Sequence, residues 1–248
     1  MTPLAAVLLV ALAGAEPPTL SFAVRGRALD LHLYGTRGGP SVLLVSGDGG
    51  WTHLAPQTAP ILVAQGYFVV GLDAKEYLSA FTTSKATLSP SDVQQDFRSL
   101  VDYAARAAAA KPILVGISEG AGLAVLAAVD PTVKAAVRGV VGLGLPDENE
   151  LGWRFRDSII YLTHKAPNEP TFSVAAIVDR LAPLPLAEIH SSRDEYVPLE
   201  EAQRVFAKAG APKRMWVIEA KDHGFSGKAD EFRARLREAM EWVVTSSP

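Results

Sequence analysis

The order of apolar and polar positions changes once along the chain. Near its beginning, residues 20–24 and 29–34 alternate apolar and polar side chains, and a short polar turn at residues 25–27 separates them. Alternation of this length is typical of half-buried strands, and a tight turn joins two such strands into an antiparallel pair. We therefore predict an N-terminal antiparallel hairpin.

The pattern then changes to short, uninterrupted apolar runs separated by helical stretches. Runs of this kind are typical of strands that are buried on both faces, and their alternation with helices is typical of a parallel sheet. The runs are residues 41–45, 68–72, 113–115, 137–143, 186–189 and 215–218. We predict an α/β fold, a mostly parallel central sheet with helices on both faces.

Three helices between or after these runs carry clear signals. Ser89 and Pro90 offer an N-cap and a proline at the first helical position, and apolar residues then recur at helical spacing. A second helix is predicted after Pro198, and the last one covers residues 229–244. The stretch from 147 to 185 is the least regular, and it is where a cap would be inserted.

One pentapeptide connects this pattern to chemistry. Residues 116–120, with the sequence Gly-Ile-Ser-Glu-Gly, come directly after an apolar run and directly before the helix-prone residues 121–128. Alone, Gly-x-Ser-x-Gly is a weak signal, but a strand before it and a helix after it are typical of a nucleophile elbow. In such an elbow Ser118 stands on a sharp turn, Gly116 and Gly120 leave room for strand and helix, and the helix N-terminus faces the substrate.

Composition limits the classes of function. With 248 residues, 48% of them hydrophobic, the chain can bury one large core, and we expect one domain over residues 16–248. A formal charge of -3 gives no basic field for a phosphate backbone, which disfavours nucleic-acid binding.

The first residues are typical of a targeting segment. Residues 1–12 are apolar but too short to span a bilayer, and Ala-Gly-Ala at 13–15 has the form of a cleavage site. We predict a signal peptide over residues 1–15 and a periplasmic location. The lack of Lys and Arg in this segment leaves an uncleaved anchor or a cytoplasmic start as alternatives. Because the chain has no Cys, a lipoprotein anchor and disulfides are excluded.

A serine nucleophile needs a base, and the chain has five histidines. We predict His223, which follows the last predicted strand and precedes the last helix, the place of the base in hydrolases with the chain order Ser, Asp or Glu, His. The other histidines are His32 and His190, which fall in strands and are expected in the core or at an edge, and the secondary candidates His53 and His164.

The third group should be a carboxylate that orients the imidazole. Asp194 lies between Ser118 and His223, in the loop that follows the strand predicted at 186–189. Its neighbour Glu195 is the main rival. Asp222 is adjacent to the histidine and is expected to form a turn.

The tetrahedral intermediate also needs donors for its oxyanion, worth roughly 3 kcal/mol each. The elbow supplies the backbone N–H of Glu119. The second donor should come from the glycine-rich loop at residues 46–51, where the N–H of Asp48 is the first choice and that of Gly49 the second. No Gly-Lys-Ser/Thr follows, which disfavours a phosphate loop, and no metal-ligand spacing is present, so neither metal nor cofactor is expected.

Two side chains are candidates for substrate binding. Glu119 could bind an ammonium group of the substrate. It could equally cap the first turn of its helix, where the helix dipole favours a negative charge. Trp51 could line the pocket, as could Trp153, although large aromatic residues beside loops more often fill the edge of a core.

Three segments together resemble a known family. They are residues 43–51, which contain Ser-Gly-Asp-Gly-Gly-Trp, residues 66–73, and the elbow. The chain is similar here to the AcvB/VirJ family of periplasmic bacterial virulence proteins, which have the α/β-hydrolase fold. The resemblance implies a serine hydrolase that acts on aminoacylated phospholipid, notably lysyl-phosphatidylglycerol. Glu119 and Gly224-Phe225 depart from the family pattern.

The predicted function is therefore ester hydrolysis by Ser118, Asp194 and His223, on a small-molecule or phospholipid ester, with peripheral contact to membrane lipid in the second case. The alternatives are an esterase for small soluble esters, an acyltransferase with the same triad, and a non-catalytic periplasmic binding or accessory protein with the hydrolase fold. The sequence does not specify the oligomeric state.

Overall fold

The computed structural model describes residues 18–108, 110–154 and 169–247. The predicted signal peptide lies outside the described residues, as does His164. The strands are β1 Thr19–Val24, β2 Arg27–Tyr34, β3 Ser41–Val45, β4 Phe68–Leu72, β5 Ile113–Ile117, β6 Val140–Leu143, β7 Glu148–Glu150, β8 Thr171–Ser173, β9 Leu186–Ser191 and β10 Lys213–Ile218. The described helices are α1 Leu54–Ala64, α2 Ala74–Ala80, α3 Pro90–Arg106, α4 Glu119–Ala128, α5 Pro131–Ala136, α6 Leu199–Lys208 and α7 Ala229–Ser246.

Eight of these strands form one sheet in the order β1-β2-β4-β3-β5-β6-β9-β10. The predicted N-terminal hairpin is confirmed: β1 pairs antiparallel with β2, with Leu20 opposite Leu31, and β2 joins β4 antiparallel. All other pairs in this sheet are parallel, as predicted from the apolar runs. The carboxyl ends of β3, β5, β6, β9 and β10 therefore meet at one edge, where the loops that carry the site lie.

Helices cover both faces of the sheet. On β3, Leu43 and Val45 face the core that contains Phe97 of α3, whereas Leu44 faces the core that contains Leu62 of α1. Because both faces are buried, the strands read as uninterrupted apolar runs rather than as alternation. The two cores hold α3, α4 and α6 on one side and α1 and α7 on the other.

The three helix predictions are confirmed. The Ser89 hydroxyl accepts the N–H of Asp92, and the Asp92 carboxylate accepts the N–H of Ser89, which closes a capping box in front of Pro90. The helices α6 and α7 begin at the predicted positions. The largest difference at a strand boundary is in the run at 137–143, which forms a strand only from Val140, because the residues before it connect α5 to the sheet. The strands β5, β9 and β10 each extend two residues beyond their predicted runs.

The segment at 147–185 stands apart from the main sheet. Its described residues contain β7 and β8, which pair antiparallel in a separate two-stranded sheet, followed by short 3-10 turns at Val174–Ala176 and Val178–Leu181. Residues 155–168 lie outside the described part. That this segment is a cap inserted into a single domain stays a prediction.

Within the described ranges, we find no helix with the length and apolar character that crossing a membrane requires.

Candidate active site

Ser118 stands at the point where β5 turns into α4. Its backbone angles, φ 51° and ψ -120°, lie in a region that non-glycine residues rarely adopt and that costs about 1–3 kcal/mol. The turn is held on both sides: the Ser118 N–H donates to the carbonyl of Leu143 at 2.9 Å, and its carbonyl accepts the N–H of Ala121 at 2.8 Å. This is the strained strand-to-helix geometry of a nucleophile elbow.

The two glycines of the pentapeptide are required by close backbone contacts. A Cβ at Gly116 would lie 2.3 Å from the carbonyl oxygen of Gly120. A Cβ at Gly120 would lie 2.3 Å from the carbonyl oxygen of Ser46, in the loop after β3. Both obstacles are backbone atoms, which cannot move aside as a flexible side chain would. The glycines therefore fix the position of Ser118 against the loop after β3.

Asp194 and His223 are joined by a short hydrogen bond. The Nδ1 of His223 lies 2.6 Å from Oδ2 of Asp194, and Oδ1 accepts the N–H groups of Tyr196 at 3.0 Å and Val197 at 2.8 Å. Burial alone would raise the pKa of Asp194, but the hydrogen bonds and the positive charge available on His223 outweigh it, and the pKa lies below its usual value. The carboxylate is thus ionised and held in one orientation by the backbone.

Ser118 and this pair both lie beside the carboxyl end of β6. Leu143, whose carbonyl accepts the Ser118 N–H, is followed by Gly144, and a Cβ at Gly144 would come within 2.6 Å of Cε1 of His223. On its other side, Ser118 approaches Gly47 of the loop after β3, where a Cβ would lie 3.4 Å from the serine Cβ. The structure therefore brings Ser118, Asp194 and His223 to one edge of the sheet.

The rival carboxylates have other contacts. Oε2 of Glu195 accepts the backbone N–H of His223 at 2.7 Å, so Glu195 holds the histidine loop rather than the imidazole. Oδ1 of Asp222 accepts the N–H of Ser226 at 2.8 Å, and Asp222 forms a turn as expected from its position. Among the described contacts of the imidazole, the hydrogen-bonded carboxylate belongs to Asp194.

The glycine-rich loop after β3 forms a tight turn beside the serine. The N–H of Gly50, at φ 86°, donates to the carbonyl of Gly47 at 3.0 Å, which places Asp48 and Gly49 at the tip of the turn. Asp73 anchors the loop, since its carboxylate accepts the N–H of Trp51 at 2.8 Å and also caps α2. The oxyanion roles of the Asp48, Gly49 and Glu119 amides stay predictions.

The side chain of Glu119 points into the protein. It is 7% exposed, and its Oε1 accepts the N–H of Glu150 in β7 at 2.8 Å. Burial raises the pKa of Glu119 well above its usual value, and the nearby charges of Glu150 and Asp48 raise it further. The carboxyl group thus links the nucleophile turn to the segment at 147–185. Its part in substrate binding stays a prediction.

This burial makes the stability of the fold depend on pH. The raised pKa of Glu119 means that its stabilising contribution is complete below about pH 4 and is lost as the pH rises through the folded-state value. In E119Q, which keeps an oxygen for the Glu150 N–H, this loss is absent. We expect the melting temperature of E119Q minus that of the wild type to increase between pH 4 and pH 8.

The melting temperature of the wild type, measured over the same pH range, gives the reference. A constant difference between E119Q and the wild type would contradict the burial argument.

The tryptophans pack at the edges of the cores. The Trp51 ring stacks on His32 with 4.4 Å between centroids, and its Nε1 donates to the hydroxyl of Tyr34 at 3.1 Å. Trp153 is covered by the ammonium of Lys75, 4.5 Å from the ring centroid. Both rings therefore have packing partners within the protein. That they line a substrate pocket stays a prediction.

Two polar residues behind the site were not assigned a role from the sequence. Glu188 and His190 lie on β9 and are fully buried. The only sign of them in the sequence was the presence of two titratable residues in an otherwise apolar run. His53 is the N-cap residue before α1, and its side chain forms no capping hydrogen bond. In the part of the chain that the structure describes, no group of three or more metal-ligating side chains is arranged to hold a metal ion.

Comparison with solved structures identifies the fold. The protein is similar to the esterase Est1E from Butyrivibrio proteoclasticus, with a TM-score of 0.67 at 14% identity over 92% of this chain and 99% of that one. It is similar to the α/β hydrolase GrgF from Penicillium sp. sh18, with a TM-score of 0.69 at 13% identity over 93% and 98%. A monoacylglycerol lipase from Paleococcus ferrophilus gives a TM-score of 0.62 at 18% identity over 88% and 99%. The α/β-hydrolase fold predicted from the sequence is confirmed.

Sequence comparison identifies the family. A search of curated proteins gave no significant match. The family model described as bacterial virulence protein (VirJ) matches residues 40–181, more than half of the chain, and this range includes the glycine-rich loop and the elbow. The chain therefore belongs to the VirJ family of bacterial virulence proteins.

Proposed function

We propose that this protein is a periplasmic serine hydrolase that cleaves a carboxylic ester. The observation that carries the proposal is the 2.6 Å hydrogen bond between Asp194 and His223 at the edge where Ser118 occupies a strained elbow. A serine on a strained turn and an imidazole oriented by a carboxylate, both at the carboxyl edge of the sheet, are groups that acyl transfer needs. The esterases and lipases among the structural neighbours support the same class of reaction.

Each group has a defined task in this reaction. The Ser118 hydroxyl attacks the ester carbonyl while Nε2 of His223 takes its proton. His223 then gives that proton to the leaving alcohol, and an acyl-enzyme remains. Water, activated by His223, hydrolyses the acyl-enzyme and restores Ser118. Asp194 keeps the imidazole in the tautomer that carries its proton on Nδ1 and stabilises the imidazolium.

The carbonyl oxygen becomes negatively charged in both steps. The N–H of Glu119 at the start of α4 and the N–H of Asp48, or in second place of Gly49, supply its hydrogen bonds. The anchoring of the loop by Asp73 supports this arrangement, because donors fixed in advance need no reorganisation during the reaction.

As the natural substrate we propose an aminoacyl phospholipid, in particular a lysyl ester of phosphatidylglycerol. Burial favours the uncharged form of Glu119, and the nearby charge of Asp48, at the tip of the loop after β3, raises its pKa further. The negative charge of Asp48 beside the elbow favours an ester whose acyl group carries an ammonium. An anionic or neutral acyl group would gain nothing from this field.

The test compares esters that differ in charge. Purified protein without residues 1–15 is incubated with vesicles of lysyl-phosphatidylglycerol and with p-nitrophenyl acetate and butyrate, and released lysine and nitrophenol are measured. We expect lysine release and a higher kcat/KM for the cationic ester. Turnover of only the neutral soluble esters would favour a small-ester esterase. No turnover of any ester, together with no labelling by a fluorophosphonate, would favour an accessory protein without catalysis.

A further inference from the structure

A second histidine lies directly behind the acid of the triad. Glu188 and His190 occupy neighbouring inward positions on β9 and are 1% and 0% exposed. Polar groups of this kind are rare in a parallel strand that is buried on both faces. On the adjacent strand β6, Gly142 stands opposite Glu188, and a Cβ there would lie 2.3 Å from Oε2 of the carboxylate. The sheet thus makes room for the charged side chain.

The hydrogen bonds of His190 define its charge. Its Nδ1 lies 3.2 Å from Oε1 of Glu188, and its Nε2 lies 2.9 Å from the carbonyl oxygen of Val197. A carbonyl oxygen can only accept, and the same Oε1 already accepts the N–H of Leu145 at 3.0 Å. Both ring nitrogens therefore face acceptors, whereas a neutral imidazole carries one N–H. The geometry is that of an imidazolium.

The environment of His190 agrees with this geometry. Burial alone would lower its pKa, but the hydrogen bond and charge of Glu188, the Val197 carbonyl and the charge of Asp194 raise the pKa above its usual value. The charged and titratable groups that face the ring are Glu188 on its own strand and Asp194 in the following loop.

The positive charge lies next to the oxygen that the triad uses. Nε2 of His190 is 3.8 Å from Oδ2 of Asp194, the oxygen that also holds Nδ1 of His223 at 2.6 Å. The Tyr196 ring contacts the His223 ring edge-on, with 5.7 Å between centroids. Glu195 accepts the backbone N–H of His223. Asp194 is therefore the carboxylate through which a charge on β9 can act on the imidazole.

We propose that Glu188 and His190 form a buried ion pair. The positive charge of the His190 imidazolium partly offsets the negative charge of Asp194, and Asp194 therefore stabilises protonated His223 less strongly. The proposal rests on the proposed function, since it assigns these residues as positioning residues of the same triad. Without the pair, the full charge of Asp194 would stabilise the His223 imidazolium. The base would then be free only at higher pH, and activity near neutrality would fall.

The test removes the charges in steps. E188Q deletes the counter-charge of His190 with little change of shape, and the double variant E188Q/H190Q replaces the pair by neutral groups. For each variant, kcat/KM on p-nitrophenyl butyrate is measured between pH 5 and pH 9. We expect the acid limb of the profile to move to higher pH by about one pH unit, which means about tenfold lower kcat/KM below the midpoint.

I189V is the matched control, because Ile189 is equally buried on β9 but belongs to the opposite core. It should change stability slightly and leave the midpoint in place. A midpoint that stays in place in both E188Q and the double variant would overturn the proposal, even if their stability or overall rate falls. A purely structural role of the pair predicts that result.

A measurement without substrate separates this proposal from the hydrolase assignment. In the 15N NMR spectrum of the wild type at pH 7, we expect both ring nitrogens of His190 to be protonated, and one of them to lose its proton in E188Q. One bare nitrogen in the wild type would overturn the ion pair. If the ring is charged but no ester is cleaved, the hydrolase proposal fails and the ion pair stands.

Discussion

Replacing Ser118 by alanine is expected to lower kcat for ester hydrolysis by about 10⁶-fold, close to the level that remains when a whole triad is removed. The expected loss is this large because, in the proposed mechanism, the serine oxygen forms the covalent bond to the acyl group. Covalent labelling of the purified protein by a fluorophosphonate probe should disappear at the same time. Both effects are measured on the same preparation.

The folded state of this variant should be retained. Alanine can adopt the φ of 51° at the same cost as serine, and the hydrogen bonds of the turn use backbone atoms. Ser192, a half-buried serine in the loop that leads to Asp194, provides the control. S192A should keep labelling and turnover. Normal labelling of S118A would show that the reactive group is another residue.

Replacing Asp194 by asparagine is expected to lower kcat by about 10⁴-fold. The backbone explains why an amide cannot substitute here. The N–H groups of Tyr196 and Val197 require an oxygen at the Oδ1 position, so the NH2 group of asparagine must face His223. Nδ1 of the imidazole then accepts this bond, and its proton moves to Nε2, the nitrogen that should take the proton of Ser118.

E195Q tests the rival carboxylate. Because a glutamine oxygen can still accept the His223 N–H that Glu195 now accepts at 2.7 Å, E195Q should lose less than about tenfold in kcat. Steady-state kinetics of the two variants on one soluble ester give the comparison. A severe loss in E195Q with near-normal turnover in D194N would reverse the assignment of the acid.

The sequence predicted the parallel strands because each is buried on both faces and reads as an apolar run. Two of these runs, β3 and β4, match the structure at both ends. The chain order of Ser118, Asp194 and His223 was informative for the same reason, since parallel strands deliver all their carboxyl ends to one edge. The site could therefore be assembled from loop positions before any distance was known.

What the sequence did not predict depends on weak periodicity or on tertiary contact. The helix α1 contains Pro60 and shows little contrast between its faces, so no helix was predicted there. The helix α2 is short, although Asp73 and Glu76 offered a capping signal. The inward side chain of Glu119 and the pairing of Glu188 with His190 depend on which neighbours the fold supplies, and no local pattern contains that information.

The hydrogen bond from the Glu150 N–H to Glu119 has a mechanical consequence. The residue after the nucleophile is attached by its side chain to the first strand of the segment at 147–185, so the serine turn and that strand are tied together. A displacement of this strand would pull on the same residue whose amide is proposed to bind the oxyanion. A shift of β7 would thus reach the turn at Ser118 through a single side chain.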